Sequence, residues 1–92
     1  MHITVVFVGV LGKLIREGNL KVSLPREAAY RDLLAEIWNR FGTDIPEPLW
    51  NKEANRFKEP IFALANGRAV DSMDTPLADG DEVRFLTLVA GG

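Results

Sequence analysis

The residues of this 92-residue sequence that are best suited to chemistry are its last two, Gly91 and Gly92. Two glycines before a free carboxylate form a strip without side chains, which can thread a narrow channel and adopt any backbone conformation that a binding site requires. We therefore expect the carboxylate of Gly92 to be the reactive group, with Gly91 giving a partner access to it. The alternative is a frayed end without a function.

The segment before the diglycine includes Leu88, Val89 and Ala90 and would carry that carboxylate away from the folded domain. Residues 87 to 92 span about 20 Å when fully extended at roughly 3.3 to 3.6 Å per residue, long enough to reach a buried pocket in another protein. We predict that residues 88 to 92 form a mobile tail. Ordering them costs roughly 1 to 2 kcal/mol per residue, and the glycines bury nothing in return.

The composition excludes most catalytic chemistry from this chain. It has no Cys and a single His, His2, so thiolate metal sites, iron–sulfur clusters, a Cys nucleophile and His-pair zinc sites are excluded. We predict that the chain is neither an enzyme nor a metal protein. With 11 Lys and Arg against 13 Asp and Glu, no summed positive field is available for a nucleic acid backbone.

The N-terminal segment, residues 1 to 12, is apolar but too short and too regularly alternating for a membrane-spanning helix. It also lacks the charged start and the small-residue cleavage site of a signal peptide. We therefore predict a cytoplasmic protein without membrane association. Its length fits one domain, residues 1 to 92.

Two segments, His2–Val8 and Glu82–Val89, have strand periodicity with apolar side chains on both faces. Strands of this kind lie in the middle of a sheet, so we predict that the two are parallel central neighbours. Alternation divides the second strand between its faces, with Val83 and Phe85 on one and Arg84, Leu86 and Leu88 on the other.

Two shorter strands are predicted at Leu20–Leu24 and Ile61–Ala65. The glycine-rich residues 9 to 18 read as the loop of a hairpin between the first strand and Leu20–Leu24. Asn66-Gly67 predicts a tight turn after Ile61–Ala65, because both residues tolerate positive φ. Asp79 and Asp81 are predicted to form the turn before the last strand.

One amphipathic helix is predicted over Glu27–Phe41. Its apolar side chains recur at helical spacing: Tyr30, Leu33, Leu34, Ile37, Trp38 and Phe41. Gly42 is placed for a left-handed C-terminal cap, and Trp38 is expected to be buried between helix and sheet. One helix covers one face of a sheet, so we predict an α+β fold in which a mixed sheet of four to five strands wraps on one main helix.

The uncovered face of that sheet is a candidate docking surface. Leu86 and Leu88 would lie there beside Val6 and Val8 and form an apolar patch. The alternative is that an irregular arm, residues 43 to 59, covers this face with Leu49, Trp50 and Phe57. Within the arm we predict a short helix that starts at Pro48, and we expect Trp50 to cap the core.

Three pieces of the last third of the chain together resemble a known family. They are Ala65-Asn66-Gly67-Arg68, the run Thr75-Pro76-Leu77-Ala78-Asp79-Gly80-Asp81-Glu82-Val83, and Val89-Ala90-Gly91-Gly92. The combination resembles the ubiquitin-like sulfur carriers with the β-grasp fold, and among them the small subunit of molybdopterin synthase best. The first 42 residues agree with this family in element order and hydrophobic pattern only.

The resemblance implies that Gly92 is adenylated by a ubiquitin-activating-type adenylyltransferase that uses ATP and converted to a thiocarboxylate by a sulfurtransferase. In the molybdopterin branch the tail enters the large synthase subunit, which passes the sulfur to a pyranopterin precursor. This chain would bind no cofactor itself. Residues expected to contact these partners are Leu64, Leu86, Leu88, Val89 and Ala90.

One departure from the molybdopterin branch is visible, since Thr87 and Leu88 stand where that branch commonly has a Pro pair. The thiamine-pathway carriers also lack the pair, but they are typically shorter and lack the arm. Ubiquitin-related modifiers share the diglycine and are joined to lysines of target proteins. A β-grasp interaction domain without tail chemistry is a further alternative. The sequence leaves open which pathway receives the sulfur and whether transfer or conjugation takes place.

Overall fold

The computed structural model describes residues 1–15, 19–59 and 61–87. The predicted tail, residues 88 to 92, lies outside the described residues, so its predicted mobility stays a prediction. The elements in chain order are β1 (His2–Phe7), α1 (Val10–Ile15), β2 (Asn19–Ser23), α2 (Tyr30–Phe41), a 3₁₀ turn (Glu47–Leu49), β3 (Trp50–Asn51), β4 (Arg56–Phe57), β5 (Ile61–Ala65), β6 (Arg68–Ala69) and β7 (Glu82–Thr87).

Five strands form one mixed sheet in the order β2-β1-β7-β5-β6. Strands β1 and β7 are parallel, and the other neighbouring pairs are antiparallel. Helix α2 packs on one face of the sheet, with the Phe41 ring 6.0 Å from Phe7 and the Tyr30 ring 6.2 Å from Phe85. The predicted α+β architecture, with its central parallel pair, is confirmed.

The two faces of β7 are as the alternation predicts. Val83 and Phe85 are fully buried on the helix side, whereas Arg84 is exposed and Leu86 is half-buried on the opposite side. The Asn66-Gly67 turn is also confirmed, with φ of 49° and 85° at the two residues. Side-chain alternation therefore assigns the two faces of β7, and the tight turn marks the end of β5.

Helix α2 begins later than predicted, at Tyr30 instead of Glu27. Glu27 has a φ of 70°, which breaks a right-handed helix, and the Asp32 carboxylate accepts a hydrogen bond from the Ala29 N–H at 2.7 Å. The predicted left-handed cap at Gly42 is wrong, because its φ is −55°. A Cβ at this position would lie 2.6 Å from the carbonyl oxygen of Trp38, so close packing requires the glycine.

Helix α1 was not predicted, because three glycines between residues 9 and 18 give that segment the composition of a loop. Leu11 and Ile15 are nevertheless spaced i, i+4, and both are buried in the core. Gly12 lies so close to β1 that a Cβ would be 2.7 Å from the carbonyl oxygen of Phe7. The glycine therefore serves helix–strand packing and does not mark a loop.

The arm packs on the helix side of the sheet. Trp50 is 2% exposed and stacks on Trp38, with ring centroids 4.8 Å apart, while Phe57 lies 5.2 Å from Phe85. Trp50 caps the core as predicted, but the expected place of Trp38 is wrong, since it is half-buried between helix and arm. Because Leu49 also packs against the core, the apolar arm residues do not cover the opposite face.

Ionisation of the buried Tyr30 is predicted to destabilise the fold at high pH. Burial raises the pKa of Tyr30 to about 12, and the charge of Arg56 opposes part of that rise. An unfolded tyrosine ionises near pH 10. The contribution of buried, neutral Tyr30 to the free energy of unfolding is therefore fully present below about pH 10 and is lost as the pH rises towards 12. When the pH is raised from about 8 to about 11, the free energy of unfolding of Tyr30→Phe should therefore fall less than that of the wild type.

The measurement is simple because Tyr30 is the only tyrosine in the chain. Phenolate absorbance then reports this one group, and its midpoint in the folded protein should lie well above the value for the denatured protein. Equal midpoints in the two states would contradict the prediction.

Candidate functional site

The candidate site is the sheet face opposite α2, which we call the open face. Cross-strand pairing on this face is Val6 with Arg84, Arg84 with Leu64, and Leu86 with Phe62. The backbone N–H of Val8 donates to the Phe85 carbonyl at 2.9 Å, which places Val8 beside Leu86. The open face thus carries two aligned rows of side chains across the central strands.

Polarity changes along the open face. A third row, Lys21, Thr4 and Glu82, is polar, whereas the row of Val8, Leu86 and Phe62 is apolar, and we call the latter the apolar row. Val8 is 37% exposed, and the other two side chains are half-buried. The apolar row lies at the end of β7 from which the chain continues to residue 88.

Of the predicted contact residues, the structure brings Leu64 and Leu86 together on the open face. Leu88, Val89 and Ala90, and with them Gly91 and Gly92, lie outside the described residues. Phe62 was not among the predicted contact residues, although it is the direct cross-strand partner of Leu86. The missed signal was its i, i+2 spacing from Leu64, which places both on one face of β5.

Arg84 is the central charge of the open face. Its Nε donates to Oε1 of Glu82 at 2.7 Å, and the two side chains are 54% and 42% exposed. Arg84 thus lies on β7 between Glu82 of the polar row and Leu86 of the apolar row. At this exposure a single ion pair stabilises the fold little, since exposed pairs contribute about 0 to 1 kcal/mol.

Asp79 and Asp81 are turn formers, as predicted. The Asp79 carboxylate accepts the His2 N–H at 2.7 Å, and Asp81 accepts bonds from the Ala78 N–H at 2.8 Å and from the Asn66 side-chain amide at 2.9 Å. The bond from His2 lowers the pKa of Asp79 below its usual value, and nearby positive charges assist. These bonds hold the start of β7 in register.

Among residues 1–15, 19–59 and 61–87 no group of three His, Asp or Glu side chains is arranged to hold a metal ion. Within the same ranges, no helix is long and apolar enough to cross a membrane.

The family profile described as the ThiS family matches residues 5–92. The chain belongs to the ThiS family. This membership and the solved structures that resemble the chain confirm the predicted likeness to ubiquitin-like sulfur carriers and the β-grasp fold. SAMP1 from Haloferax volcanii superimposes with a TM-score of 0.83 at 18% identity, over 100% of both chains, and shows the fold.

Two further structures are more similar in sequence. A putative molybdopterin converting factor, subunit 1, from Pyrococcus furiosus is 26% identical with a TM-score of 0.73, over 97% of this chain and 99% of that one. In the complex of subunits 1 and 2 of the molybdopterin-converting factor from Helicobacter pylori, the matching chain is 27% identical with a TM-score of 0.65, over 100% of both chains.

A curated relative of another kind is calcium-transporting ATPase type 2C member 2 of Homo sapiens. It is 39% identical over 56 residues, which are 61% of this chain and 6% of the transporter. Since the chain matches so small a part of that protein, the likeness carries no argument about transport.

Proposed function

We propose that this member of the ThiS family is a sulfur carrier that acts as the small subunit of a molybdopterin-type synthase. The Gly92 carboxylate is the group that is activated and charged with sulfur. The observation that carries the proposal is the apolar row of the open face, which lies where β7 leads into residues 88 to 92. A partner that docks on this row receives the tail at its own active site.

The proposed chemistry needs activation because a carboxylate is a poor electrophile. The Gly92 carboxylate attacks the α-phosphorus of ATP on an activating partner, pyrophosphate leaves, and an acyl adenylate forms. A persulfide on a sulfurtransferase then attacks the acyl carbon and displaces AMP. A thiol of that partner cleaves the resulting acyl disulfide, which forms a disulfide on the partner and leaves a thiocarboxylate at Gly92. The chain needs no cofactor of its own, since ATP is bound by the partner, and a chain without Cys offers no competing thiol.

Docking on the open face supplies the affinity that the tail alone lacks. Five residues extend about 17 Å at roughly 3.3 to 3.6 Å each, and ordering them opposes binding by roughly 1 to 2 kcal/mol per residue. Burial of the apolar row offsets that cost at about 25 cal/mol per Å² of apolar surface. The likeness to subunit 1 in a complex with subunit 2 supports a large synthase subunit as the partner.

The test is the mass of the intact protein purified from its native cells. We expect a fraction of molecules heavier by the difference between sulfur and oxygen, located at Gly92 by fragmentation. A variant with one alanine added after Gly92 should show no such species. It should also lose ATP–pyrophosphate exchange with the activating enzyme by at least about 100-fold, which is about 2.7 kcal/mol.

Two results would overturn this proposal. The extended variant could support exchange at the wild-type rate, which would place the reactive group elsewhere. Alternatively, Gly92 could be found joined only to lysines of other proteins, which would replace sulfur transfer by conjugation.

A further inference from the structure

Arg84 places a positive charge between two aliphatic neighbours on the open face. It lies on the central strand β7 with Val6 paired on one side and Leu64 on the other. Leu86, of the apolar row, is two residues further on the same face, about 7 Å along the strand. A partner that covers the apolar row therefore comes within reach of the Arg84 guanidinium.

The guanidinium of Arg84 is only partly satisfied within the described part of the chain. A guanidinium has five N–H donors, and Nε is the one with an acceptor there, Oε1 of Glu82. Neither Nη atom of Arg84 has an acceptor among the described side chains and carbonyls. The outer edge of the guanidinium is thus available to an acceptor on another molecule.

Docking without such an acceptor would be unfavourable. Arginine stays charged in proteins, and a charge that loses water without gaining a partner weakens binding strongly. A carboxylate matches the two Nη groups with a pair of parallel hydrogen bonds, whereas a neutral acceptor gives weaker ones. A basic side chain at this point would repel the guanidinium, so Arg84 discriminates between partner surfaces by charge.

We infer that Arg84 is the specificity-determining residue of the open face and that the partner protein pairs an aspartate or glutamate with its Nη edge, beside an apolar surface that receives Leu86. The inference rests on the proposed function in one respect, because it takes the open face as the docking surface. Beyond the proposed function, the inference specifies that the large synthase subunit presents an acidic side chain to Arg84.

The test measures binding of the large synthase subunit from the same organism to four variants by calorimetry. Arg84→Ala should weaken binding at least about tenfold, and Arg84→Glu about 100-fold or more. The matched control is Lys21→Glu, the same charge reversal on edge strand β2 in the polar row. It should change affinity less than about threefold, because rim charges contribute little. The fourth variant, Leu86→Glu, tests the docking surface itself.

A fifth variant, Glu82→Gln, tests whether the carboxylate that neutralises Arg84 in the complex belongs to the partner or to Glu82. If Glu82 alone neutralised Arg84 in the complex, Glu82→Gln would leave the guanidinium unpaired and weaken binding. With a carboxylate on the partner, Glu82→Gln should bind as well as the wild type or better, because a like charge near that carboxylate is removed. A loss of at least tenfold in Glu82→Gln would overturn the inference.

The outcomes distinguish this inference from the function on which it rests. Weak binding by Leu86→Glu with normal binding by both Arg84 variants would overturn the role of Arg84 and leave the docking surface intact. Normal binding by Leu86→Glu would overturn the docking surface and the role of Arg84 together. The chemistry at Gly92 is measured separately by mass, so neither result depends on it.

Discussion

Truncation of Phe85 to alanine should destabilise the protein by about 3 to 5 kcal/mol, which is the usual cost of removing a fully buried Phe. Phe85 is 0% exposed, and its ring lies 5.7 Å from Phe7 and 5.2 Å from Phe57. The side chain thus joins the helix side of the sheet to the arm. Since the free energy of unfolding of a domain is only about 5 to 15 kcal/mol, this one change should remove a large part of it.

The matched control is Phe62→Ala, which makes the same chemical change on the other face of the sheet. Phe62 is half-buried on the open face, one position from the Ala63 that pairs with Phe85. Its truncation should destabilise the fold by about 1 to 2 kcal/mol, in proportion to the smaller area buried. Denaturant unfolding of both variants measures the difference, and equal losses would show that the two faces are buried alike.

This contrast explains which parts of the fold could be predicted from the sequence. A strand has a side-chain period of two, so Val83, Phe85 and Leu86 were assigned to their faces before any register was known. The turn at Asn66-Gly67 fixed where β5 ends. These features are local, and the local pattern contains all the information that they need.

The features that were not predicted depend on contacts between distant segments. The position of Trp38 depends on Trp50 of the arm, which no helical periodicity reveals. Helix α1 was not recognised because of glycines such as Gly12. This position requires glycine because the carbonyl of Phe7 lies too close for a Cβ. Phe62 was not linked to Leu86, because their pairing requires the register of β5 against β7.

The candidate site shows the same division. Alternation predicts an open face with Leu86 beside Val6 and Val8, but the position of Arg84 between two aliphatic neighbours follows from pairing with β1 and β5 together. The tail residues Gly91 and Gly92 were recognised by composition and resemblance, which require no geometry. What the structure adds is the apolar row at the end of the strand that leads to them.

Replacing Leu86 by glutamate should abolish most partner binding and leave the fold intact. Leu86 is half-buried on the open face, so its replacement should lower the free energy of unfolding by about 1 to 2 kcal/mol, as for Phe62, which a domain stable by about 5 to 15 kcal/mol tolerates. The new carboxylate would also lie two residues from Arg84 on the same face, within reach of an ion pair that keeps it solvated. Far-ultraviolet circular dichroism should therefore match that of the wild type, while the melting temperature falls by about 4 to 16 °C.

The affinity for the large synthase subunit should fall at least tenfold, which is about 1.4 kcal/mol, because docking would bury a charge against the apolar surface that receives Leu86. Leu86→Gln is the control that separates polarity from charge. It is neutral and cannot neutralise Arg84, so it should bind better than the glutamate variant and less well than the wild type.

If both variants bind and are adenylated at Gly92 as efficiently as the wild type, the apolar row is not the docking surface. The apolar contact of Phe62 and Val8 with Leu86 would then serve the sheet alone, and the partner would have to approach from the arm side, where Trp38 is half-buried.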